Sequence, residues 1–321
     1  MPDVRHHTVQ VPASTANLGP GFDAFGLALG LHLAVATLPR TEQTERVRTA
    51  GDGTGELATG DDNLVWQSFV AFCEEHAVAV PDVAFRAATT IPLERGLGSS
   101  SAAIVAGMAL ARALTGVAIG DRELVAVAAR IEGHPDNVAP ALLGGLVACA
   151  NGDDGALVVR RINPAAHLRP FALIPTERQA TTEARAVLPE SLPRPDAVMQ
   201  AARAGQVLAA LAGLWPVDVR VAGDLLHEPP RFAVMGPSGA IVGSLREAGV
   251  HAWLSGAGPA VAAVVAAHDT GGLEFARRLA PAHGFVLREL SFDLMGALTC
   301  PNDGCALAGT AGCVHCPRRR V

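Results

Sequence analysis

Apolar residues recur along the chain at two spacings, one typical of strands and one typical of helices. Short apolar runs bounded by turn-forming residues predict strands at 8–11, 25–37, 83–90, 144–150, 171–175 and 285–292. Runs in which apolar residues return every three or four positions predict helices at 63–76, 102–114, 121–131, 197–214 and 221–227. Residues 252–279 are predicted to form two more strands, a Gly loop and a helix. Because regular βαβ alternation is missing, the pattern predicts an α+β fold with two lobes.

Segments rich in Gly, Pro, Ser, Thr and Asp separate these elements and predict loops. The main ones are 12–23, 51–62 and 92–101. Asp61 or Asp62 is predicted to cap the helix that follows the second loop. The third loop stands between a strand and an Ala-rich helix, which is the order that an anion-binding helix N-terminus requires.

The composition is that of a globular protein with little charge. Half of the 321 residues are hydrophobic, 17% are charged, and the formal net charge is -6. This balance opposes a wide basic surface, so we expect no nucleic-acid partner and no membrane partner. The longest apolar stretches are too short or too interrupted to cross a bilayer, and the first residues lack the apolar segment of a signal peptide. The expected location is the cytoplasm.

The basic and sulfur-containing residues add two restrictions. Every basic side chain apart from His is Arg, so no lysine can clamp a phosphate or act as a base. Cys73 and Cys149 lie in apolar runs, which does not fit a secreted disulfide scaffold. The other cysteines can bind zinc as four thiolates, and a reduced tail without metal is the alternative. They are Cys300, Cys305, Cys313 and Cys316.

The most informative stretch is Pro92-Leu93-Glu94-Arg95-Gly96-Leu97-Gly98-Ser99-Ser100-Ser101-Ala102. Its glycines allow the main chain to approach a ligand closely and to take up positive φ. The serines follow at the first turn of the predicted helix, where backbone N–H groups and the helix dipole favour an anion. Neither a Walker A nor a Rossmann pattern matches, because no Lys follows and the third Rossmann Gly is missing. A Ser-capped helix after a Gly turn is the interpretation without a function.

This stretch resembles the phosphate loop of the GHMP small-molecule kinases, matching it at every fixed position. Residues 11–23 resemble the N-terminal signature of the homoserine kinases within that family, and residues 132–140 resemble a second homoserine kinase block. Residues 254–259 are similar to the C-terminal glycine loop of the family. The resemblance extends from about residue 8 to residue 297, which is nearly the whole chain.

The resemblance implies the two-lobed GHMP kinase fold, with an N-terminal lobe similar to domain 2 of ribosomal protein S5 and a ferredoxin-like C-terminal lobe. The expected boundaries are 1–160 for the N-terminal domain with its ATP phosphate loop, 161–297 for the C-terminal domain, and 298–321 for a Cys-rich tail. It further implies transfer of a phosphoryl group from ATP, with Mg²⁺, to the hydroxyl of L-homoserine in threonine biosynthesis. A homodimer is expected from the family.

The resemblance also implies roles on the substrate side of the site. Asn17 and Asp23 would hold homoserine, which carries hydroxyl and ammonium groups. Arg185 and Arg231 would contact the substrate carboxylate, which a guanidinium fork pairs with well. Further substrate-side residues are His134, Asp136, Asn137 and Thr181.

On the nucleotide side, ATP would contact residues 92–102 together with Gly256 and Gly258. Asn63 would contact adenine, and a helix-capping Asn is the alternative. Mg²⁺ would be held by Ser100, or its neighbour Ser99, together with Glu132, because this ion prefers few protein ligands plus phosphate and water. Asn17, Ser100, Glu132 and Arg185 form the expected catalytic set, and transfer is expected to proceed without a strong general base.

Three alternatives are open at this stage. The first is a GHMP kinase for another small hydroxylated substrate, such as a threonine-like or mevalonate-like compound. The second is a non-catalytic ligand-binding relative, which the intact phosphate loop and Glu132 oppose. The third is a nucleic-acid-binding protein, which the acidic balance and the few aromatic residues oppose.

Overall fold

The computed structural model describes residues 6–41, 44–51, 54–176 and 186–301. The helices within these ranges are α1 (Leu64–Glu75), α2 (Ser99–Thr115), α3 (Asp121–Glu132), α4 (Pro135–Leu143), α5 (Arg194–Leu211), α6 (Glu228–Val234), α7 (Gly236–Glu247) and α8 (Thr270–Ala282), with a 3₁₀ turn at Val219–Val221. The strands are β1 (Thr8–Asn17), β2 (Gly21–Pro39), β3 (Val47–Gly51), β4 (Val83–Thr89), β5 (Leu146–Asn151), β6 (Leu157–Ile162), β7 (Leu168–Pro175), β8 (His251–Leu254), β9 (Val261–Ala266), β10 (Phe285–Glu289) and β11 (Leu298–Cys300).

The first lobe is built on a seven-stranded sheet in the order β11-β1-β2-β4-β3, with β5 paired to β2 and β6 paired to β5. All of these pairs are antiparallel except β3 with β4. Helices α1 to α4 follow the strands of this lobe, and α2 packs against α1, α3, α4, β1 and β2. The buried side chains of α1 and α2 lie in one core with those of β1, β2 and β4.

The second lobe is built on a four-stranded antiparallel sheet in the order β10-β7-β9-β8. Its chain order of strand, helices, two strands, helix and strand is that of a ferredoxin-like unit. The side chains that α7 and α8 bury lie against the strands of this sheet in a separate core. The two-lobed α+β architecture expected from the sequence is therefore confirmed.

β1 is longer than its apolar pattern predicts. Residues 12–17 were expected in a loop, yet they continue the strand and pair with β2. The pairing register shifts between Pro12 and Ala13 and again between Ala16 and Asn17. These irregularities allow small and polar residues to stay in a strand while it bends. Ser14 and Thr15 are fully buried, so their polarity is not a sign of exposure.

The helix boundaries correct several predictions. The helix expected at 221–227 is wrong, because a 3₁₀ turn ends at Val221 and α6 begins only at Glu228. In between, one carboxylate oxygen of Asp224 accepts hydrogen bonds from the backbone N–H groups of residues 226, 227 and 228. That turn replaces the expected helix. The cap of α1 is Asn63, whose side chain accepts from Val65 N, and not Asp61 or Asp62.

Several elements carried no signal in the sequence pattern. Strands β3 and β6 are short and partly exposed, so they lack an apolar run. Helix α4 begins at Pro135 and contains Pro140, and α7 begins with Gly and Pro, which are residues typical of loops. Tertiary packing decides these elements more than local preference does.

After β10 the chain returns to the first lobe. Gly30 N donates to the carbonyl of Ser291, Leu29 forms a bridge with Phe292, and β11 pairs with β1. The strand expected at 285–292 therefore ends at Glu289. The segment expected as a tail from residue 298 begins with β11, which lies in the seven-stranded sheet.

None of the helices in the described ranges combines the length and the apolar character that a membrane crossing needs. The thiols of Cys73 and Cys149 are buried, and burial raises the pKa of both, that of Cys149 to about 12. Both therefore behave as small apolar side chains.

Candidate active site

A cleft between the two lobes brings together most of the side chains singled out in the sequence. It has a volume of about 310 Å³. The first lobe contributes the turn after β1, the loop before α2 and the segment between α3 and α4, while the second lobe contributes α6 and the glycine loop after β8. Its lining consists of Asn17, Phe22, Asp23, Glu94, Gly96, Gly98, Ser99, Ser100, Glu132, His134, Asp136, Asn137, Arg231, Gly256 and Ala257.

The turn between β1 and β2 forms one end of the cleft. Asn17, Leu18 and Asp23 all have positive φ, at 71°, 52° and 53°. Such a conformation is uncommon in residues other than Gly and persists where the surrounding structure holds it. Here the Asn17 amide holds it, because Asn17 Oδ1 accepts from Asp23 N at 3.1 Å and Nδ2 donates to the Gly256 carbonyl at 2.8 Å. Asn17 therefore links this turn to the glycine loop of the other lobe.

The loop before α2 forms another part of the cleft lining. Gly98 is the residue before the helix and has φ of 70°, and a Cβ on it would lie 2.1 Å from Ser14 Oγ. No other residue fits this position without displacing β1. The loop is also tied to β1 through Ser14 N, which donates to the Leu97 carbonyl at 3.2 Å. The first-turn amides of α2, at residues 99–101, have no intrahelical acceptor by the geometry of a helix, and they face an anion favourably.

Glu132, at the end of α3, reaches the start of α2. Its Oε1 accepts from Ser100 Oγ at 2.7 Å and from Ser101 Oγ at 2.8 Å. Ser100 is exposed and Glu132 is half-buried, whereas Ser101 is fully buried. A carboxylate and a hydroxyl oxygen at a phosphate-binding helix end are the ligands that Mg²⁺ prefers. The residues present thus fit the expected metal.

Helix α4 carries Asp136 and Asn137 into the cleft wall. It can lie close to β2 because Gly26 has no side chain, and a Cβ there would lie 1.8 Å from the Asp136 carbonyl oxygen. Asn137 Oδ1 accepts from Ser14 Oγ at 2.9 Å. The His134 ring contacts the Asp136 carboxylate through Nδ1. One ligand atom from each of Asp23, His134 and Asp136 lies within 4.8 Å of the others, which makes a site suited to a cationic group.

Arg231 brings a positive charge from the second lobe, and it is 2% exposed. Its Nη1 donates to the Gly256 carbonyl at 3.0 Å and to His227 Nδ1 at 3.2 Å. Its guanidinium lies 5.3 Å from the centre of the Phe22 ring. Arg231 and the carboxylates of Asp23 and Asp136 therefore line one cleft with opposite charges.

The two lobes are also joined beneath the cleft. Trp253 Nε1 donates to Thr15 Oγ1 at 2.9 Å. Ser255 Oγ lies 2.8 Å from the same Thr15 hydroxyl and 2.6 Å from the Gly96 carbonyl oxygen. All three side chains are fully buried. The glycine loop, β1 and the phosphate loop thus share one hydrogen-bonded network.

Several residues expected on the nucleotide side lie beside the cleft. Arg95 donates to the carbonyls of Leu93, Pro175 and Thr176, so its side chain ties the phosphate loop to the end of β7. Leu97 and Ala102 belong to the apolar core. Asn63 caps α1, with Nδ2 donating to Ala58 O at 2.7 Å and Oδ1 accepting from Val65 N at 2.9 Å. Its predicted contact with adenine is not tested and stays a prediction.

Thr181, Arg185, Cys305, Cys313 and Cys316 lie outside the described residues, so their expected roles stay predictions. Cys300 is described, and it is buried in β11.

Sequence reasoning missed two residues beside Arg231, Phe22 and His227. Phe22 lies on the cleft wall between the glycine and the aspartate of the N-terminal signature. The Phe22 and His227 rings are stacked at 5.1 Å. The spacing of His227 four residues before Arg231, on one helical face, is the signal that could have identified it.

Comparisons with known proteins agree with this geometry. Residues 63–145 match the family described as the GHMP kinases N terminal domain. The chain is 37% identical over 291 residues to a homoserine kinase of Mycolicibacterium vanbaalenii, covering 88% of this chain and 92% of the relative. It is 37% identical over 302 residues to a homoserine kinase of Leifsonia xyli subsp. xyli, covering 91% of each.

Solved structures show the same likeness. The crystal structure of homoserine kinase from Cytophaga hutchinsonii superposes with a TM-score of 0.75 at 25% identity, covering 92% of this chain and 98% of that one. The mevalonate kinase of L. major superposes with a TM-score of 0.61 at 14% identity, covering 88% and 94%, which is a likeness of fold alone.

Proposed function

Because the chain belongs to the homoserine kinases of the GHMP kinase family, we propose that its cleft binds L-homoserine and ATP end to end and transfers the γ-phosphoryl group to the homoserine hydroxyl. The products are O-phospho-L-homoserine, an intermediate of threonine biosynthesis, and ADP. The observation that carries the proposal is the cleft itself, whose lining combines a helix N-terminus bearing Ser100, the carboxylate of Glu132, and the opposite charges of Arg231 and Asp23.

At the substrate end, the charges suit an amino acid. Arg231 pairs with the substrate carboxylate, because guanidinium and carboxylate groups match in charge and shape. Asp23 and Asp136 face the substrate ammonium group, and negative charge is concentrated there because an oxygen of each lies within 4.8 Å of the other. Asn17 fixes the spacing between these anchors through its bonds to both lobes. A mevalonate-type acid, which has no ammonium group, would leave these carboxylates without a counter-charge.

At the phosphate end, backbone N–H groups of residues 99–101 stabilise the phosphate oxygens. This helix end is preorganised, because the loop of Gly96 and Gly98 is held by Ser14 and Ser255. Electrostatic preorganisation of this kind lowers the cost of gathering negative charge during transfer. Ser100 and Glu132 would hold Mg²⁺, which when bound neutralises charge on the phosphate oxygens.

The chain's own contribution to the chemical step is positioning. The bond between the γ-phosphorus and its bridging oxygen to ADP breaks as the homoserine oxygen forms a bond to that phosphorus. The hydroxyl proton passes to an oxygen of the transferred phosphoryl group. Phosphoryl transfer of this kind has little need of a strong base at the attacking oxygen. Asp136 then serves as a binding group, and its contact with His134 occupies one of its oxygens.

A substrate panel tests this function. Purified protein with ATP and Mg²⁺ should release ADP with a kcat/KM for L-homoserine at least about tenfold above those for L-threonine, L-serine and mevalonate. Chelating the divalent ion should stop release. A higher kcat/KM with any other member of the panel would overturn the substrate assignment.

The mechanism without a base has its own test. Asp136→Asn should weaken homoserine binding while retaining measurable turnover at saturating homoserine. Loss of turnover with homoserine and ATP binding intact would require a general base at this position.

The same proposal extends to three properties of the whole protein. We expect a homodimer and a cytoplasmic location, as the family implies. For the Cys-rich end of the chain, zinc bound through Cys300 and three downstream cysteines and a reduced tail without metal are the two alternatives. Metal analysis of chelator-washed protein decides between them, because close to one zinc per chain would support the zinc site and its absence would leave the reduced tail.

A further inference from the structure

His227 occupies a position between the two anchors of the proposed homoserine site. It lies directly before α6 and has no exposed surface. Its Nε2 lies 3.0 Å from the carbonyl oxygen of Gly19, in the turn that carries Asn17 and Asp23. Its Nδ1 lies 3.2 Å from Arg231 Nη1. One imidazole thus touches both the turn of the first lobe and the arginine of the second.

The partners decide which ring nitrogen carries the hydrogen. Arg231 Nη1 can only donate, so His227 Nδ1 accepts. Gly19 O can only accept, so His227 Nε2 carries the hydrogen and donates it. The neutral ring with hydrogen on Nε2 satisfies both partners at once, and neither bond competes with the other.

This bond also fixes the orientation of the Arg231 guanidinium. Nη1 carries two hydrogens, and it donates to the Gly256 carbonyl at 3.0 Å and to His227 Nδ1 at 3.2 Å. Because the guanidinium is planar, two acceptors on one nitrogen set the direction of its plane. Phe22 packs against both side chains, with its ring 5.1 Å from that of His227 and 5.3 Å from the Arg231 guanidinium.

The position of His227 is itself held by the chain around it. The backbone N–H of His227 donates to Asp224 Oδ2 at 2.6 Å, and the other carboxylate oxygen of Asp224 lies 3.8 Å from His227 Nε2. Gln200 of α5 contacts both Asp224 and the Pro20 carbonyl. These hydrogen bonds therefore hold the His227 ring in a defined position.

We infer that His227 is a positioning residue for homoserine recognition, which aligns Arg231 with the substrate carboxylate and holds the Gly19 turn at a fixed distance from it. The inference rests on the proposed function, in which Arg231 binds that carboxylate. His227 does not touch the substrate. It acts through Arg231 and through the turn, so its loss should affect homoserine and leave the nucleotide alone.

The first experiment compares substitutions at this position. His227→Leu should lower kcat/KM for homoserine by at least about tenfold, with KM for ATP within about twofold of wild type. His227→Asn places an amide oxygen near the former Nδ1 and should recover part of that loss. This variant also keeps a polar group at a buried site, so it carries the test if the Leu protein fails to fold. Proportional losses in kcat and ATP binding, or Asn no better than Leu, would overturn the inference.

A double-mutant cycle separates positioning from general damage. If His227 acts through Arg231, then adding His227→Leu to Arg231→Gln should lower kcat/KM for homoserine by no more than about threefold. Effects that multiply independently would show that His227 acts elsewhere, and the inference would fail. His76→Leu removes another partly buried imidazole, one packed against Phe72 at 4.5 Å on α1, and it should leave homoserine kinetics unchanged.

The cycle also distinguishes the two levels of the proposal. A wild-type protein that does not phosphorylate homoserine, or an Arg231→Gln variant with unchanged kcat/KM, would defeat the proposed function and the inference with it. An active wild type, a defective Arg231→Gln and no coupling would defeat the inference alone.

Discussion

Glu132 joins two elements at the phosphate end of the cleft through a single carboxylate oxygen. That oxygen accepts hydrogen bonds from the hydroxyls of Ser100 and Ser101, which belong to another helix. Its negative charge lies near the N-terminus of α2, where the helix dipole stabilises an anion. Without a divalent ion, the Glu132 carboxylate is held by these hydrogen bonds. With the ion bound, the same carboxylate would serve as a ligand.

Glu132→Gln keeps the size of this side chain and removes its charge. We expect kcat to fall by about 100-fold or more, because Mg²⁺, which would neutralise charge on the transferring phosphoryl group, loses its carboxylate ligand. The Mg²⁺ concentration needed for half-maximal rate should rise, while KM for homoserine changes little. Steady-state kinetics at a series of Mg²⁺ concentrations measure this. Glu123→Gln, on the first turn of α3, is the matched control, and equal behaviour of the two variants would contradict the metal role.

Individual residues differed in how far the sequence could reveal them. Gly98 could be predicted, because a glycine before three serines and a helix has a local meaning. His227 was missed although its spacing from Arg231 is a local signal, because its other partner, Gly19, lies 208 positions away in the chain. Ser101 and Ser100 are equivalent in the sequence, and only burial separates the exposed hydroxyl from the buried one.

At the scale of elements, α1 offers a test between two roles of Asn63. Its side chain caps the helix, and the predicted adenine contact would need the same amide. Asn63→Ala should lower the free energy of unfolding by about 1 kcal/mol, the usual cost of losing a cap. Asn63→Asp keeps the oxygen that accepts from Val65 N but loses the donor to the Ala58 carbonyl, so it should recover only part of this stability. Chemical denaturation measures both.

The same two variants test the nucleotide contact. If Asn63 is only a cap, KM for ATP should be unchanged in the Asp variant. A rise in KM for ATP with stability retained would show that the amide nitrogen serves the nucleotide as well.

The loop before α2 makes a second prediction at this scale. Gly98→Ala would place a Cβ 2.1 Å from Ser14 Oγ, in a backbone with φ of 70°. We expect KM for ATP to rise at least about tenfold and stability to fall by about 1 kcal/mol or more, because the loop must move and the new residue is strained. Gly116→Ala is the control, since it has a similar φ of 72° and open space around it. Equal effects of both changes on ATP would contradict a role for the loop shape.

Elements with a regular apolar period were the ones that the sequence could predict. Helices α1, α2 and α3 lie within a few residues of their predicted bounds. Helix α4 could not be predicted, because its prolines favour a loop locally while the close approach of β2 at Gly26 allows a helix to form there. The irregular part of β1 was lost for the same reason, since its polar residues are buried by partners far along the chain.

At the scale of the whole molecule, the cleft lies where buried polar bonds join the two lobes. Asn17 bonds to Gly256 across 239 positions of the sequence, and Trp253 bonds to Thr15 across 238. The sequence identified the blocks that hold these residues through family resemblance. The sequence could not show which of these residues bond to each other, because no local pattern indicates which buried donor lies near which acceptor.

His251, at the start of β8, lies at the same junction and makes the fold sensitive to acid. It is 2% exposed, and its ring lies 5.0 Å from that of Trp253. The pKa of His251 is lowered from 6.5 to about 3, mainly by burial and next by the charge of Arg246, while a hydrogen bond with the backbone of Leu18 acts in the opposite direction. The native protein therefore holds this ring neutral.

Below pH 6.5 His251 is protonated in the unfolded chain, whereas in the native protein it stays neutral until about pH 3. Protons then favour the unfolded state, so this residue's contribution to stability is complete above pH 6.5 and is lost as the pH falls toward 3, at about 1.4 kcal/mol per pH unit.

His251→Asn removes the titrating group and can keep a donor toward Leu18. The free energy of unfolding, measured by denaturation from pH 7 to pH 4.5, should therefore fall less steeply in this variant, with His268→Asn on the exposed surface as control. Parallel slopes for wild type and His251→Asn would mean that the buried imidazole takes up a proton within the fold.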